Sequence, residues 1–351
     1  MMVSSQVDIV PPWLDNSGPE NDVVISTRVR LARNIDGRRF PGEASLFEKK
    51  TIYEEITGAL QTIDRYKSCA AINFGTLPEI EQQFLVEERI VSPDFLESDG
   101  DRGVVQIDSR RYTILINEED HLRILGMDSG YRPDEVWDSL DEIDDNLGKK
   151  LNYAYDGYRG FLTSCPTNSG TGLRVSFILH LPGLVLTKTI DQILRGASQT
   201  GISTRGFFGE HSMVFGSFFQ LSNYATLGAS EQSFLTTTKE MIEKIIEHER
   251  KARKKVVRYA KNELVDRIYR AYGIFSFAKM MTIDEFYNLA SLVRLGIYMD
   301  LFKIVSVDEL NRLMLIVLPA HIQMAAGKAL SPETLAEQRA ILVKTYLGGR
   351  T

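Results

Sequence analysis

The chain changes character at Gly228. Ahead of that residue, β-branched and alternating stretches recur between short turns; from it to Thr351 the pattern is helical, with only Pro319 and Pro332 to break it. A chain divided this way is neither a single sheet nor a single bundle. It predicts an α+β body followed by an all-helical domain, with the change falling near residues 230–250. The resulting division is a loose lead-in over residues 1–22, an α+β domain over 23–240 and a helical domain over 241–351.

Within the first part, "DVVISTRVRLARN" and the pair of segments in "GVVQIDSRRYTILINEED", joined by a polar "DSR" turn, read as strands. "PDEVWDSLDEIDDNLGKK" reads as a helix, because Val136, Leu140, Ile143 and Leu147 recur at three- and four-residue steps and Pro133 suits a first turn. Its acidic run is expected on the solvated face. Strand-like sequence returns from "LRVSFILHLPGLVLT" to "MVFGSFFQLSNYATLG". Farther on, Ile242, Ile245, Ile246, Ala252, Val256 and Val257 form a helical stripe that Glu249 and Arg253 interrupt. The basic cluster "ERKARKKVVR" is expected as a solvent-facing helix side.

At 351 residues and 43% hydrophobic, the chain builds a core without staples. Cys69 and Cys165 are too few for a disulfide framework, and the five histidines show no metal-ligand spacing. A net charge of −6 argues against nucleic acid as the main partner. With no apolar run long enough to span a bilayer and no secretory leader at the N-terminus, a cytoplasmic protein with no membrane partner is expected.

Four stretches are dense in reactive residue types: "STRVRLAR", "NEEDHLR", "CPTNSGTGLR" and "TRGFFGEHS". They hold Arg28 and Arg30, which share a face if the first is a strand, and Arg123, Arg174 and Arg205. They also hold Glu119, Glu210 and Cys165. A guanidinium is charged at neutral pH and rarely buried unpaired, so several beside strands call for an anion, and polyphosphate meets that need. The chain has no P-loop and no protein-kinase signature set, so a nucleotide site here would be built from arginines.

Together these stretches resemble the ATP:guanidino phosphotransferases, or phosphagen kinases, the family of creatine and arginine kinases. Within it, the likeness is nearest the bacterial protein arginine kinases: "VISTRVRLARNIDGRRFP" comes almost at the N-terminus, "HLPGLVLT" follows the cysteine motif, and "DRIYRAYGIF" and "ELNRLMLIVLPA" are similar to a helical domain absent from the metabolic enzymes. The resemblance implies a catalytic domain with an antiparallel sheet flanked by helices. It further implies ATP with Mg2+ held at Arg28, Arg30, Arg123, Arg174 and Arg205, with no protein side chain ligating the metal directly. Glu119 and Glu210 would grip and deprotonate the acceptor guanidinium, with Cys165 beside it as thiolate. The implied partners are proteins with exposed arginines, an activating adaptor, Clp-type protease machinery and a second copy of the chain. Three departures stand out. Ile178 replaces a histidine of the metabolic enzymes, so adenine is expected to lean on apolar packing. Phe208, His211 and Ser212 mix features of both branches, which keeps free arginine as an alternative acceptor. Near the C-terminus Arg339 and Ala340 survive from a phosphoarginine-sensing motif, while Leu335 and Ala336 replace its Arg-Asp pair, so sensing there is expected to be weak or absent. A non-catalytic scaffold is the alternative from another class.

Overall fold

The computed structural model describes residues 9–206, 216–301 and 305–348. Its centre is β1 (Val24–Arg33), which is inaccessible along most of its length because it has a strand on each side and cover on both faces. It pairs antiparallel with β5 (Leu122–Ser129) and with β8 (Leu173–His180). Beyond β5 lie β4 (Tyr112–Ile116), β3 (Gly103–Ile107) and β2 (Ala71–Asn73); beyond β8 lie β10 (Phe218–Asn223) and β9 (Ile202–Gly206). All pairings in this eight-stranded sheet are antiparallel. The "DSR" turn joins β3 to β4, with Asp108, Ser109 and Arg110 all at positive φ. A separate hairpin joins β6 (Tyr155–Asp156) to β7 (Gly160–Phe161).

One sheet face is covered by α1 (Leu46–Gln61), α4 (Pro133–Gly148) and the start of α7 (Glu231–Phe277), whose Ile52, Leu140, Ile143 and Ile242 meet Val29, Leu31 and Val175. Six of the seven acids on α4 are exposed as expected. The seventh, Asp144, turns inward and pairs with the buried Arg33 at 2.7 Å. The other face carries Leu125, Met127, Ile178 and Phe218 into a second core. There they meet Phe84 of α2 (Glu79–Glu87), the end of α7, and Phe286 and Leu313 from α8 (Ile283–Tyr298) and α9 (Val307–Ile316).

Helix α7 therefore serves both cores in turn. Leu235 to Ala252 belong to the first and Leu264 to Phe275 to the second, and Ala260, between them, leaves helical geometry at φ −141°, ψ 33°. No proline or glycine marks that break in the sequence. Glu249, which interrupts the apolar stripe, is wholly buried. Its carboxylate accepts from the Gly183 and Leu184 amides at the start of α5 (Pro182–Leu186), both at 2.9 Å, and pairs with Arg253 at 2.6 Å. The lead-in is also firmer than its composition suggests. Trp13 and Leu14 are buried in the second core, because the Leu14 carbonyl accepts from the Asn311 side chain and the chain is clamped against α9.

Candidate active site

Strand register gathers the arginines. Cross-strand partners share a face, and Arg30 lies opposite Arg174, Ala32 opposite Arg123, Arg28 opposite Ser176, and Arg205 opposite Gln220, itself opposite Ile178. With a side-chain period of two, Arg28, Arg30, Arg123, Arg174 and Arg205 stand on one face, opposite the one α4 covers. They line a cleft of about 490 Å3 together with Glu119 and Cys165. A sixth arginine, Arg89, joins them. It follows α2, takes φ 62° and is 8% exposed, and the sequence reading passed over it because "VEERIVSP" shows no strand or motif context.

Six arginines against two acids, Glu119 and Asp94, make this cleft strongly cationic in a chain whose net charge is −6. The electrostatics favour an anionic ligand. Desolvation, with Arg123 and Arg89 adding repulsion, pulls Arg28 down to about 9. Arg30 is likewise lowered, by the same burial and by Arg28 and Arg123. Among the described residues, the buried Nε atoms of both find no hydrogen-bond acceptor. Each side chain keeps part of its surface open to the cleft, so an incoming anion reaches them. Arg123 pairs with the buried Glu118 and with Glu119 at 3.1 Å, and Arg174 Nε donates to Ser222 Oγ at 3.3 Å.

The loop after β4 brings the acid to the thiol. Asp120 and His121 of "NEEDH", both fully buried, build this junction. Asp120 Oδ1 accepts from the Ser164 amide at 2.7 Å and from Asn34 Nδ2 at 2.6 Å, while Ser164 Oγ donates to the Glu119 carbonyl at 2.6 Å. His121 Nδ1 accepts from the Ile35 amide at 3.0 Å, so Nε2 carries the proton and donates to the Arg39 carbonyl at 2.9 Å. Burial lowers its pKa and keeps the ring neutral. Cys165 lies at the start of the "CPTN" turn, its Sγ 2.9 Å from Thr167 Oγ1. Gly170 at φ 109° and Gly172 at φ 66° return the chain to β8; a Cβ on them would fall 2.3 Å from the Thr226 carbonyl oxygen and 2.6 Å from that of Ala32.

Glu210, with Phe208, His211 and Ser212, lies outside the described residues. Ile178 is buried in the second core and does not line the cleft, so it offers adenine no surface there. Arg339, on α11 (Pro332–Val343), is 4% exposed and donates to the Val317 and Met281 carbonyls at 2.9 and 2.8 Å. Another cavity, of about 400 Å3, is mainly apolar and lies between α5, α7 and α8, apart from these groups. Among the described residues no cluster of three or more His, Cys, Asp or Glu is placed to hold a metal, and no helix is long and apolar enough to cross a membrane. The cleft's donor set is arginine, which binds phosphate oxygen and not metal, so it fits a magnesium ion that arrives on the phosphates.

An arginine-lined cleft on an antiparallel sheet, with a carboxylate and a thiol at its edge, is the arrangement of a phosphotransferase. Residues 51–252 match the model of the ATP:guanido phosphotransferase C-terminal catalytic domain, and the chain belongs to that family. Residues 261–350 match the protein-arginine kinase McsB C-terminal domain. The chain is 38% identical to the protein-arginine kinase of Halothermothrix orenii, over 95% of this chain and 96% of that one. To the protein-arginine kinase of Bacillus subtilis it is 37% identical, over 97% and 94%. Among solved structures it resembles the duplicated taurocyamine kinase of Schistosoma mansoni bound to transition-state-analogue components, at TM-score 0.61 and 26% identity over 69% of this chain; the match spans 36% of that protein. It also resembles lombricine kinase, at TM-score 0.58 and 25% identity, over 69% of this chain and 71% of that one.

Proposed function

We infer that this protein is a protein arginine kinase, transferring the γ-phosphoryl group of MgATP to the guanidinium of arginines in other proteins. The observation that carries this reading is the pair of buried Nε donors on Arg28 and Arg30 that find no acceptor among the described residues, in a cleft lined by six arginines. A triphosphate answers them. Arg28, Arg30, Arg123, Arg174 and Arg205, with Arg89, hold the phosphate chain through charge-assisted bonds and stabilise charge on the transferring group. A magnesium ion brought in on the phosphates would draw off part of that charge.

The acceptor needs the opposite treatment. A guanidinium has no free lone pair and a pKa above about 12, so its nitrogen attacks only as it gives up a proton. Glu119, at the cleft edge, orients it and takes that proton, with Glu210 as the second acid. The nitrogen–phosphorus bond forms as the bond from the γ-phosphorus to the bridging oxygen breaks, and ADP leaves with that electron pair. Cys165 lies beside the guanidinium and helps to orient it.

The protein acceptor is supported by the near full-length likeness to protein-arginine kinases and by the match of the helical third to their own domain. From the same likeness we propose a cytoplasmic protein that marks substrates in quality control or stress, works with an activating adaptor and Clp-type protease machinery, and forms a homodimer. We further propose that the catalytic and helical domains meet within α7, and that the stretch around Arg339 senses phosphoarginine weakly or not at all. The test supplies MgATP with a disordered arginine-containing protein and, in parallel, free arginine, reading acid-labile phosphate by mass spectrometry. Phosphate on protein arginine, lost in Glu119→Gln, is the expected result. Product on free arginine alone would make the protein a metabolic kinase, and no product with either would return it to a scaffold.

A further inference from the structure

Arg89 differs from the other five arginines in having no strand to hold it. It is the left-handed residue that ends α2: the Arg89 amide donates to the Val86 carbonyl at 2.9 Å and the Ile90 amide to the Leu85 carbonyl at 3.0 Å. A non-glycine residue at φ 62° is strained, and it persists when its surroundings over-determine it. The surroundings here are the Trp13 ring of the lead-in, 5.4 Å from the Arg89 guanidinium, and, through the two residues before Arg89, the helical domain.

The two residues before Arg89 are gripped by α10 (Pro319–Ala326). Glu87 caps the N-terminus of that helix, accepting from the Ala320 and His321 amides at 2.7 and 3.1 Å, where the helix dipole favours a carboxylate. The His321 ring lies between both acids, Nδ1 at 2.7 Å from Glu87 and Nε2 at 3.2 Å from Glu88. With a carboxylate on each nitrogen, both nitrogens serve as donors, which is the imidazolium form. Burial opposes that charge, but the hydrogen bonds and charges of Glu87 and Glu88 outweigh it and raise the pKa. The Phe84 ring lies against His321 at 4.5 Å between centroids, and Arg110 pairs with Glu88 from the sheet side. Two acids and two cations thus balance inside the protein, immediately before a cleft arginine.

We propose that His321 is a positioning residue: through Glu87 and Glu88 it fixes the end of α2 and so holds Arg89 in the phosphate cleft, tying nucleotide affinity to the docking of the helical domain. This rests on the reading of the cleft as the nucleotide site. A displacement of α10 then loosens Arg89 without touching β1, β5 or β8, so the helical domain tunes nucleotide binding while the rest of the phosphate cradle stays in place.

A double-mutant cycle on the full chain tests this, with MgADP affinity read by calorimetry and folding by thermal unfolding. We expect Arg89→Ala to weaken MgADP roughly tenfold, and His321→Asn to weaken it about fivefold in the wild-type background but almost not at all once Arg89 is gone. Restoring charge with His321→Lys should recover part of the affinity. If His321→Asn does not fold, Glu87→Gln, which keeps an oxygen for the helix cap, takes its place in the same cycle. A folded variant that binds MgADP like wild type, or that loses the same factor with and without Arg89, overturns the coupling and leaves the nucleotide reading intact. A folded wild type that binds no MgADP overturns both.

Discussion

Arg28 and Arg30 are held against their own preference. Each sits desolvated among other guanidinium groups, an arrangement that favours function over stability. Replacing either with alanine should therefore lower kcat/KM roughly 100-fold or more while leaving the melting temperature unchanged or higher, as seen by scanning calorimetry beside steady-state kinetics. The sign of the pH effect follows from the same shift. Because folding lowers the Arg28 pKa to about 9, the unfolded chain holds this proton more tightly, and the penalty is fully present below pH 9 and relieved as pH rises through it. Anions relieve it at neutral pH instead. Pyrophosphate at 100 times its dissociation constant should add about 2.7 kcal/mol to stability in wild type and much less in Arg30→Ala, by thermal shift. At this scale the sequence was most readable, since alternation alone put Arg28 and Arg30 on one face. Arg89 was not, because its place depends on a left-handed turn and on contacts more than 200 positions away. Asp120 and His121 were visible in the motif, but their role in joining two loops needed the fold.

Among the elements, β8 and α7 carry the most. The turn into β8 depends on two glycines, and Gly170→Ala places a methyl group 2.3 Å from a carbonyl oxygen at a positive φ, so a loss of about 3 kcal/mol or more in urea unfolding is expected. In α7 the sequence stripe was right and its interruption informative. Glu249 and Arg253 break the apolar face because they form a buried pair that also caps α5. Removing the Glu249 carboxylate strips two amides at the start of α5 of their acceptor, while Arg253 keeps Asp22 and the His180 carbonyl, so Glu249→Ala should cost about 3 kcal/mol, measured by urea denaturation. The break at Ala260 had no sequence signal: it arises because the helix buries one stripe against the first core and another against the second.

Over the whole molecule, the change of character at Gly228 correctly separated strand-rich from helical sequence, yet it did not show how far the two share a core. Leu125, Met127, Ile178 and Phe218 of the sheet are covered by Phe275, Phe286 and Leu313, and Trp13 from the lead-in lies among them. Deleting residues 261–351 should therefore expose the sheet's second face and abolish cooperative folding of the remainder, seen as loss of a single thermal transition. An independently folding remainder would show that the shared core is dispensable. The measurement that bears most directly on the central claim, phosphoryl transfer from ATP to protein arginine at this cleft, is 31P NMR of the protein with MgATP and an unfolded arginine-containing acceptor. The expected result is a nitrogen-bonded phosphorus resonance on the acceptor growing in step with ADP, and absent in Arg30→Ala. ADP appearing with inorganic phosphate alone, or a resonance that survives in Arg30→Ala, would contradict it.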